Sequence, residues 1–158
     1  MARVSSIGAS GGLLSLWKDD FFSVDETIKG NHFLLLRGTI IECNFEYVLC
    51  NIYAPNLDSE RRVFWEEMIE LKRGFNLPWC FAGDFNVVKE ESERSGGVFN
   101  AGPSMDFVNF IQSYSLVDLN LARRKFTWSN NREHQTWGRL DRFLILSDWM
   151  TKFPTLRQ

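Results

Sequence analysis

Two apolar runs, residues 33–41 and 47–53, are separated only by Glu42-Cys43-Asn44-Phe45-Glu46. Both are rich in Leu, Ile, Val and aromatic side chains, the types that fit a pleated, half-buried surface. A polar connector that short predicts an antiparallel hairpin. Other strand-like runs surround it. Residues 13–17 follow a Gly-rich opening, residues 79–82 form a short apolar run before Gly83, and 117–121, 126–128 and 139–145 read as three more strands. Helical patterns alternate with them. Phe64, Met68 and Leu71 recur at helical spacing with Trp65 and Ile69 beside them, and Gly74 is a stop signal. A second helix starts near Gly102-Pro103 and places Phe107, Phe110, Ile111 and Tyr114 at i, i+3, i+4 and i+7. Asp148 is a candidate cap for a last short helix. Strands mixed with few helices, one hairpin among them, predict an α/β sandwich rather than a purely parallel doubly wound sheet.

The length of 158 residues fits one domain, 1–158. Apolar residues make up 44% of the chain, enough to offset ordering entropy, so a disordered chain is excluded. No apolar run reaches the roughly 18 to 20 residues of a membrane span, and residues 1–10 lack the apolar stretch of a secretory signal. Cys43, Cys50 and Cys80 are odd in number and have no metal-type spacing, so neither a disulfide framework nor a zinc site is expected. The expectation is an intracellular protein of nucleus or cytoplasm, neither secreted nor membrane-bound. The net charge of −2 is unevenly spread: residues 119–158 carry eight basic and three acidic side chains. That basic third either meets phosphates or is an ordinary mixed surface.

Four stretches carry side chains with chemical potential. In Gly83-Asp84-Phe85-Asn86 an apolar strand ends in an acid and an amide two residues apart. Positions i and i+2 project to one side, so Asp84 and Asn86 can meet one ligand while Phe85 packs inward. A carboxylate there takes a proton from water or holds Mg²⁺ through oxygen; equally, Gly, Asp and Asn build a plain capped turn. In Asn51-Ile52-Tyr53-Ala54-Pro55-Asn56 a strand ends in Tyr53, whose hydroxyl can donate to a phosphate oxygen, and Asn56 can do so from the loop. Asp141 is embedded in Arg139-Leu140-Asp141-Arg142-Phe143, where it orients a partner, binds a metal or forms a structural salt bridge. Arg139 beside it is a candidate contact for substrate. Trp128 is a candidate stacking platform for a base or sugar, or simply rim packing. His32 and His134 have no acidic partner at a telling spacing and read as solvated or structural.

Together and in this order, these stretches resemble the endonuclease/exonuclease/phosphatase superfamily. Their similarity is greatest to the endonuclease-like domain of LINE-type (non-LTR) retrotransposons of plant genomes. Gly8-Ala9-Ser10-Gly11-Gly12-Leu13, Ser92-Glu93-Arg94-Ser95-Gly96-Gly97 and Val117-Asp118-Leu119 extend the match over nearly the whole chain. The resemblance implies a four-layered fold, two packed mixed β-sheets flanked by helices, and Mg²⁺-dependent cleavage of DNA phosphodiesters by water. It implies that Asp84 activates the water, Asn86 helps position it, Tyr53 contacts the scissile phosphate and Asp141 orients a catalytic His. It also implies motifs that this sequence does not match. The family's metal-ligand Glu lies before the Gly-rich segment and its catalytic His after the last strand read here. The expectation is therefore a domain incomplete at both ends, without a complete metal site, and inactive or nearly so. Two other expectations stand beside it: a remnant that binds nucleic acid or a protein without cleaving, and a competent nuclease whose remaining segments lie elsewhere.

Overall fold

The computed structural model describes residues 1–5 and 11–158. Of the matched Gly-rich stretch, Gly8-Ala9-Ser10 lies outside the described residues. The first strands, β1 (Ala2–Val4) and β2 (Leu13–Ser15), pair antiparallel. Strands β3 (Phe22–Lys29), β4 (Phe33–Ile40) and β5 (Phe45–Tyr53) form an antiparallel meander. The predicted hairpin is its second half; its connector is one 3-10 turn, Ile41–Cys43, closed by Asn44 in the left-handed region at φ 49°.

Helix α1 (Asp58–Arg73), stopped at Gly74, returns the chain so that β6 (Trp79–Asp84) runs parallel to β5. Then come β7 (Arg94–Ser95), α2 (Ala101–Ser113), β8 (Val117–Asp118), β9 (Trp128–Ser129), β10 (Trp137–Gly138), β11 (Asp141–Ile145) and α3 (Ser147–Lys152). The main sheet has the order β3-β4-β5-β6-β11-β8, and β7-β10-β9 form a small sheet beside it.

Alternation along the strands sorts the core onto two faces. One face presents Leu35, Val48, Cys50, Ile52, Trp79, Phe81 and Leu144 to Trp65 and Met68 of α1 and to Phe107 and Phe110 of α2. Trp65 stacks on Phe110 with ring centroids 4.9 Å apart. The other face buries Cys80 and Ile145 against Leu119, with Leu49, Trp149 and Leu156 packed around them. β2 is tied to this face by Asn51, whose Nδ2 donates to Leu14 O and Ser15 Oγ, each at 3.2 Å. A mixed main sheet with α1 and α2 on one face, α3 on the other and two smaller sheets makes the mixed α/β sandwich that the sequence predicts. All three cysteines are free thiols; burial pushes Cys80 up to about 12, so it stays protonated.

Two expectations are corrected. Asp148 does not cap α3: the cap position is Leu146, without a side-chain bond, and Asp148 lies in the first turn. β3 was not predicted, because an edge strand whose residues alternate between half-buried and exposed, with Asp25, Glu26 and Lys29 among them, carries little apolar signal.

A buried ion-pair network joins β11 to the rest. The Arg142 side chain is fully covered and reaches both Glu93 and Asp118. Its Nη1 donates to Glu93 Oε1 at 2.9 Å and to Asp118 Oδ2 at 2.7 Å; its Nη2 donates to the other Glu93 oxygen and to Arg139 O. Burial alone raises Glu93, but the hydrogen bonds and charge of Arg142, aided by Lys89, outweigh it and hold the carboxyl low. The stability this contributes is present above the ordinary Glu range and lost as pH falls through the depressed value. Arg142→Met removes the central cation from two carboxylates that Arg139 and Lys89 still reach in part, and is expected to cost about 3 kcal/mol. A urea melt reads this directly; a midpoint unchanged from that of the unmodified chain refutes the clamp.

Candidate active site

The registers of β5, β6 and β11 bring three of the candidate residues into one row. Tyr53 pairs with Asp84 across the parallel β5–β6 ladder, and Asp84 pairs with Asp141 across the antiparallel β6–β11 ladder. Directly paired residues project to the same face, so the three side chains leave the same end of the sheet. Gly83 makes this possible. Its φ is +131°, and a Cβ there would sit 2.1 Å from Ile52 O. A larger residue would push β6 away from β5 just before Asp84.

The turn after β6 is both a capped turn and a candidate site. Asp84 Oδ1 accepts the Asn86 N–H at 2.8 Å, and Asn86 sits in the left-handed region at φ 51°. Asn86 Nδ2 donates to Ala54 O at 2.6 Å, while Ala54 N–H returns a bond to Asp84 O at 2.8 Å. Between them Phe85 is buried and stacks on Trp65, which anchors the turn to the core. One oxygen of Asp84 is thus fixed by the backbone and the other is left for a proton or ligand. Burial raises the Asp84 carboxyl most; the Asn86 N–H bond lowers it, the charge of Asp141 raises it, and Arg61 lowers it, for a net rise.

Residues outside the sequence-level candidates hold these groups in place. Thr127 Oγ1 accepts from both Leu140 N–H and Asp141 N–H at 3.0 Å, fixing the start of β11. Arg61 is buried and its Nη1 donates to Pro55 O at 2.8 Å and Asn56 O at 2.9 Å, pinning the loop that carries Asn56. Asn56 itself is exposed. His32, read from sequence as solvated or structural, lies directly beside Tyr53: its Nδ1 is 3.1 Å from Tyr53 O. A Thr inside a short polar run, an Arg in a helical heptad and a His before a strand gave no sequence signal of these contacts.

Trp128 stands in the small sheet next to this row. The registers place Trp128, Gly138 and Arg94 abreast on β9, β10 and β7. Gly138 leaves a gap between an indole and a guanidinium, above Val88 and Leu140. The resulting cleft of about 550 Å³ is lined by Asn86, Val88, Arg94, Trp128, Asn130 and Leu140 among others, so Trp128 and Asn86 share one cavity. Arg139 is elsewhere. Its Nη2 donates to Asp118 Oδ1 at 2.9 Å and Leu119 O at 2.6 Å, within the ion-pair network.

Among the described residues no three His, Cys, Asp or Glu side chains come together as a metal cage. Asp84 and Asp141 are two facing carboxylates, and after burial the charge of Asp141 also raises the Asp84 carboxyl. Mg²⁺ is commonly held by one or two carboxylates with water and substrate phosphate completing its shell. This donor set fits such a shared ion and does not fit a closed protein cage.

The architecture is that of the endonuclease/exonuclease/phosphatase proteins. One such family protein from Bacteroides thetaiotaomicron superposes with a TM-score of 0.50 at 19% identity, over 82% of this chain and 52% of that one. Among retrotransposon proteins, the endonuclease domain of TRAS1, a telomere-specific non-LTR retrotransposon, superposes with a TM-score of 0.62 at 15% identity, over 80% of this chain and 57% of that one. In sequence, the uncharacterized 149 kDa protein of transposon TX1 from Xenopus laevis is 27% identical over 154 residues, 90% of this chain and 12% of that protein. The chain therefore spans just over half of the superposed structures and a small part of the transposon protein. No protein-family model matches the sequence. Among the described residues no helix is long and apolar enough to cross a membrane.

Because folding raises the Asp84 carboxyl, its ionisation opposes folding. That loss is absent below the ordinary Asp range, grows as pH rises to the elevated value and is constant above it. Asp84→Asn, which keeps an oxygen for the Asn86 N–H, is expected to raise the thermal midpoint at pH 7 and to leave it unchanged near pH 3. A midpoint lowered at pH 7 contradicts the assignment.

Proposed function

We propose that this chain carries the water-handling part of a Mg²⁺-dependent phosphodiesterase site of the LINE retrotransposon endonuclease type, plant-like in its motifs, with DNA as substrate. The supporting observation is the row Tyr53–Asp84–Asp141 on three adjacent strands, with Asn86 clamped beside it. Asp84, raised by burial, is the base that takes a proton from water; its fixed oxygen orients the free one toward the cleft. Asn86 places its amide next to that oxygen, and Tyr53 contacts the phosphate from the neighbouring strand. Asp141 lies opposite Asp84 with its backbone fixed by Thr127, placed to orient an imidazole or share a cation. When bound, a divalent cation supplies charge neutralisation at the phosphate oxygens. Trp128 and Arg94 flank a slot for a nucleobase or sugar, and Asn56 faces solvent on the loop after β5.

Phosphoryl transfer rests on positioning and charge neutralisation by a cooperating set of groups, and removing members of such a set costs orders of magnitude. With two carboxylates at the site, this chain alone is proposed to cleave little. The cleft with Trp128, Arg94 and Arg132 favours a second reading, nucleic-acid binding without cleavage. Nicking of supercoiled plasmid with Mg²⁺ separates them. The expected result is a rate near the no-protein background for the chain and for Asp84→Ala alike. Robust Mg²⁺-dependent nicking that Asp84→Ala abolishes would show the chain competent as it stands.

A further inference from the structure

We propose that His32, with Asn31 beside it, forms a second phosphate-binding point that takes the phosphodiester adjacent to the one held at Tyr53 and Asp84. This rests on the nucleic-acid reading above and extends it to the next strand of the sheet.

The position follows from register. Phe33 pairs with Ile52, so His32 falls opposite Tyr53 at the mouth of the β4–β5 ladder. Tyr53 N–H donates to His32 O at 3.0 Å, and His32 Nδ1 lies 3.1 Å from Tyr53 O. The row at this end of the sheet is therefore His32, Tyr53, Asp84, Asp141, one residue from each of four neighbouring strands or strand ends. Neighbouring strands lie about 4.8 Å apart. His32 is thus about one strand spacing from Tyr53 and about two from Asp84. That is too far to share a phosphate oxygen with Asp84, and near enough to meet the next phosphate of the same chain.

One ring nitrogen is committed and the other is open. A carbonyl oxygen only accepts, so Nδ1 carries the hydrogen in the bond to Tyr53 O. Nε2 is then the uncommitted nitrogen, and a proton taken up there as a phosphate arrives makes it a charged donor to the phosphate oxygen. The ring is also held: it meets Phe64 edge-on with centroids 6.0 Å apart. A fixed ring gives up less freedom on binding than a solvated one. In front of it is a cavity of about 290 Å³, lined by Asn31, His32 and Tyr53 on one side and Val4, Ser5 and Leu13 on the other. Its polar members among the described residues are an amide, an imidazole, a phenol and a hydroxyl, and no described carboxylate lines it.

The test uses the whole chain and NMR, because the sequence has only two histidines and His134 serves as the internal control. A short oligothymidylate is titrated in, and inorganic phosphate in a separate arm. The expected result is a shift of the His32 ring signals together with the Asn86 amide, with His134 moved several-fold less. His32→Asn keeps an N–H for Tyr53 O and removes the Nε2 position. It is expected to weaken oligonucleotide binding about 3–10-fold and to reduce the slope of log K against log salt by about 0.7, the share of one phosphate contact on a single strand. An Asn86 shift without a His32 shift overturns this inference and leaves the nucleic-acid reading standing. No shift at either overturns both. A His32 response to inorganic phosphate but not to the oligonucleotide overturns the assignment to a chain phosphate, as does unchanged affinity and salt slope in His32→Asn.

Discussion

Arg142 is the point on which the arrangement turns. It is covered on all sides, yet it holds carboxylates from two segments: Glu93, at the entry to β7, and Asp118, in the short edge strand β8. Through Glu93 it secures the segment leading into the small sheet, where Arg139 N–H also donates to Glu93 O at 3.0 Å. Through Asp118 it holds the edge strand against β11. Because Arg142 follows Asp141 directly, the inward commitment of one residue sets the outward commitment of the next. Strand alternation does the rest.

The site is accordingly a property of sheet register more than of any loop. A one-residue slip of β6 against β11 would turn Asp84 or Asp141 into the helix-facing core. Three features oppose that slip: Gly83, which allows close approach to Ile52 O; the Phe85 N–H bond to Leu140 O at 3.0 Å; and Phe85 itself, seated against Trp65 and Phe107. The rigid aromatic layer beneath the sheet thereby determines where two carboxylates emerge above it.

Much of this was legible in the sequence, for identifiable reasons. The hairpin, both long helices and β6 announce themselves because each has one wholly apolar face and a clear stop, Gly74 or Gly83. The turn at Asp84 and Asn86 was legible because Gly, Asp and Asn at a strand end favour a capped turn, which forms here with Asn86 N–H on Asp84 Oδ1. β3 was not, because three of its eight residues are exposed and none is fully buried. The two-residue strands β7 and β10 were not, because each is too short to carry a periodic signal and they pair across a long stretch of chain. Arg139 was read with its neighbours as a site residue or a salt-bridge member, and local sequence held nothing to choose between them; its partners Asp118 and Leu119 are reached only through the fold. His32 was overlooked for the same reason: its significance lies in Tyr53, 21 residues on.

The buried charges divide into two kinds. Around Arg142 every carboxylate is matched: Glu93 is held low by its cationic partners, and Asp118 receives bonds from Arg139, Arg142 and Lys89. Such groups resist removal and offer nothing to a ligand. Asp84 is the opposite case. Burial and the facing Asp141 raise it, and the distant Arg61, itself occupied with the Pro55 loop, only partly offsets this. A fold selected for stability alone would replace that acid with a neutral side chain, since the Asn86 N–H needs only an oxygen. Under the function proposed above, Asp84 relieves that cost by taking up a proton or sharing a cation. A compensated cluster around Arg142 and an acid at Asp84 raised by its surroundings thus lie on neighbouring strands, and the contrast distinguishes scaffold from candidate site.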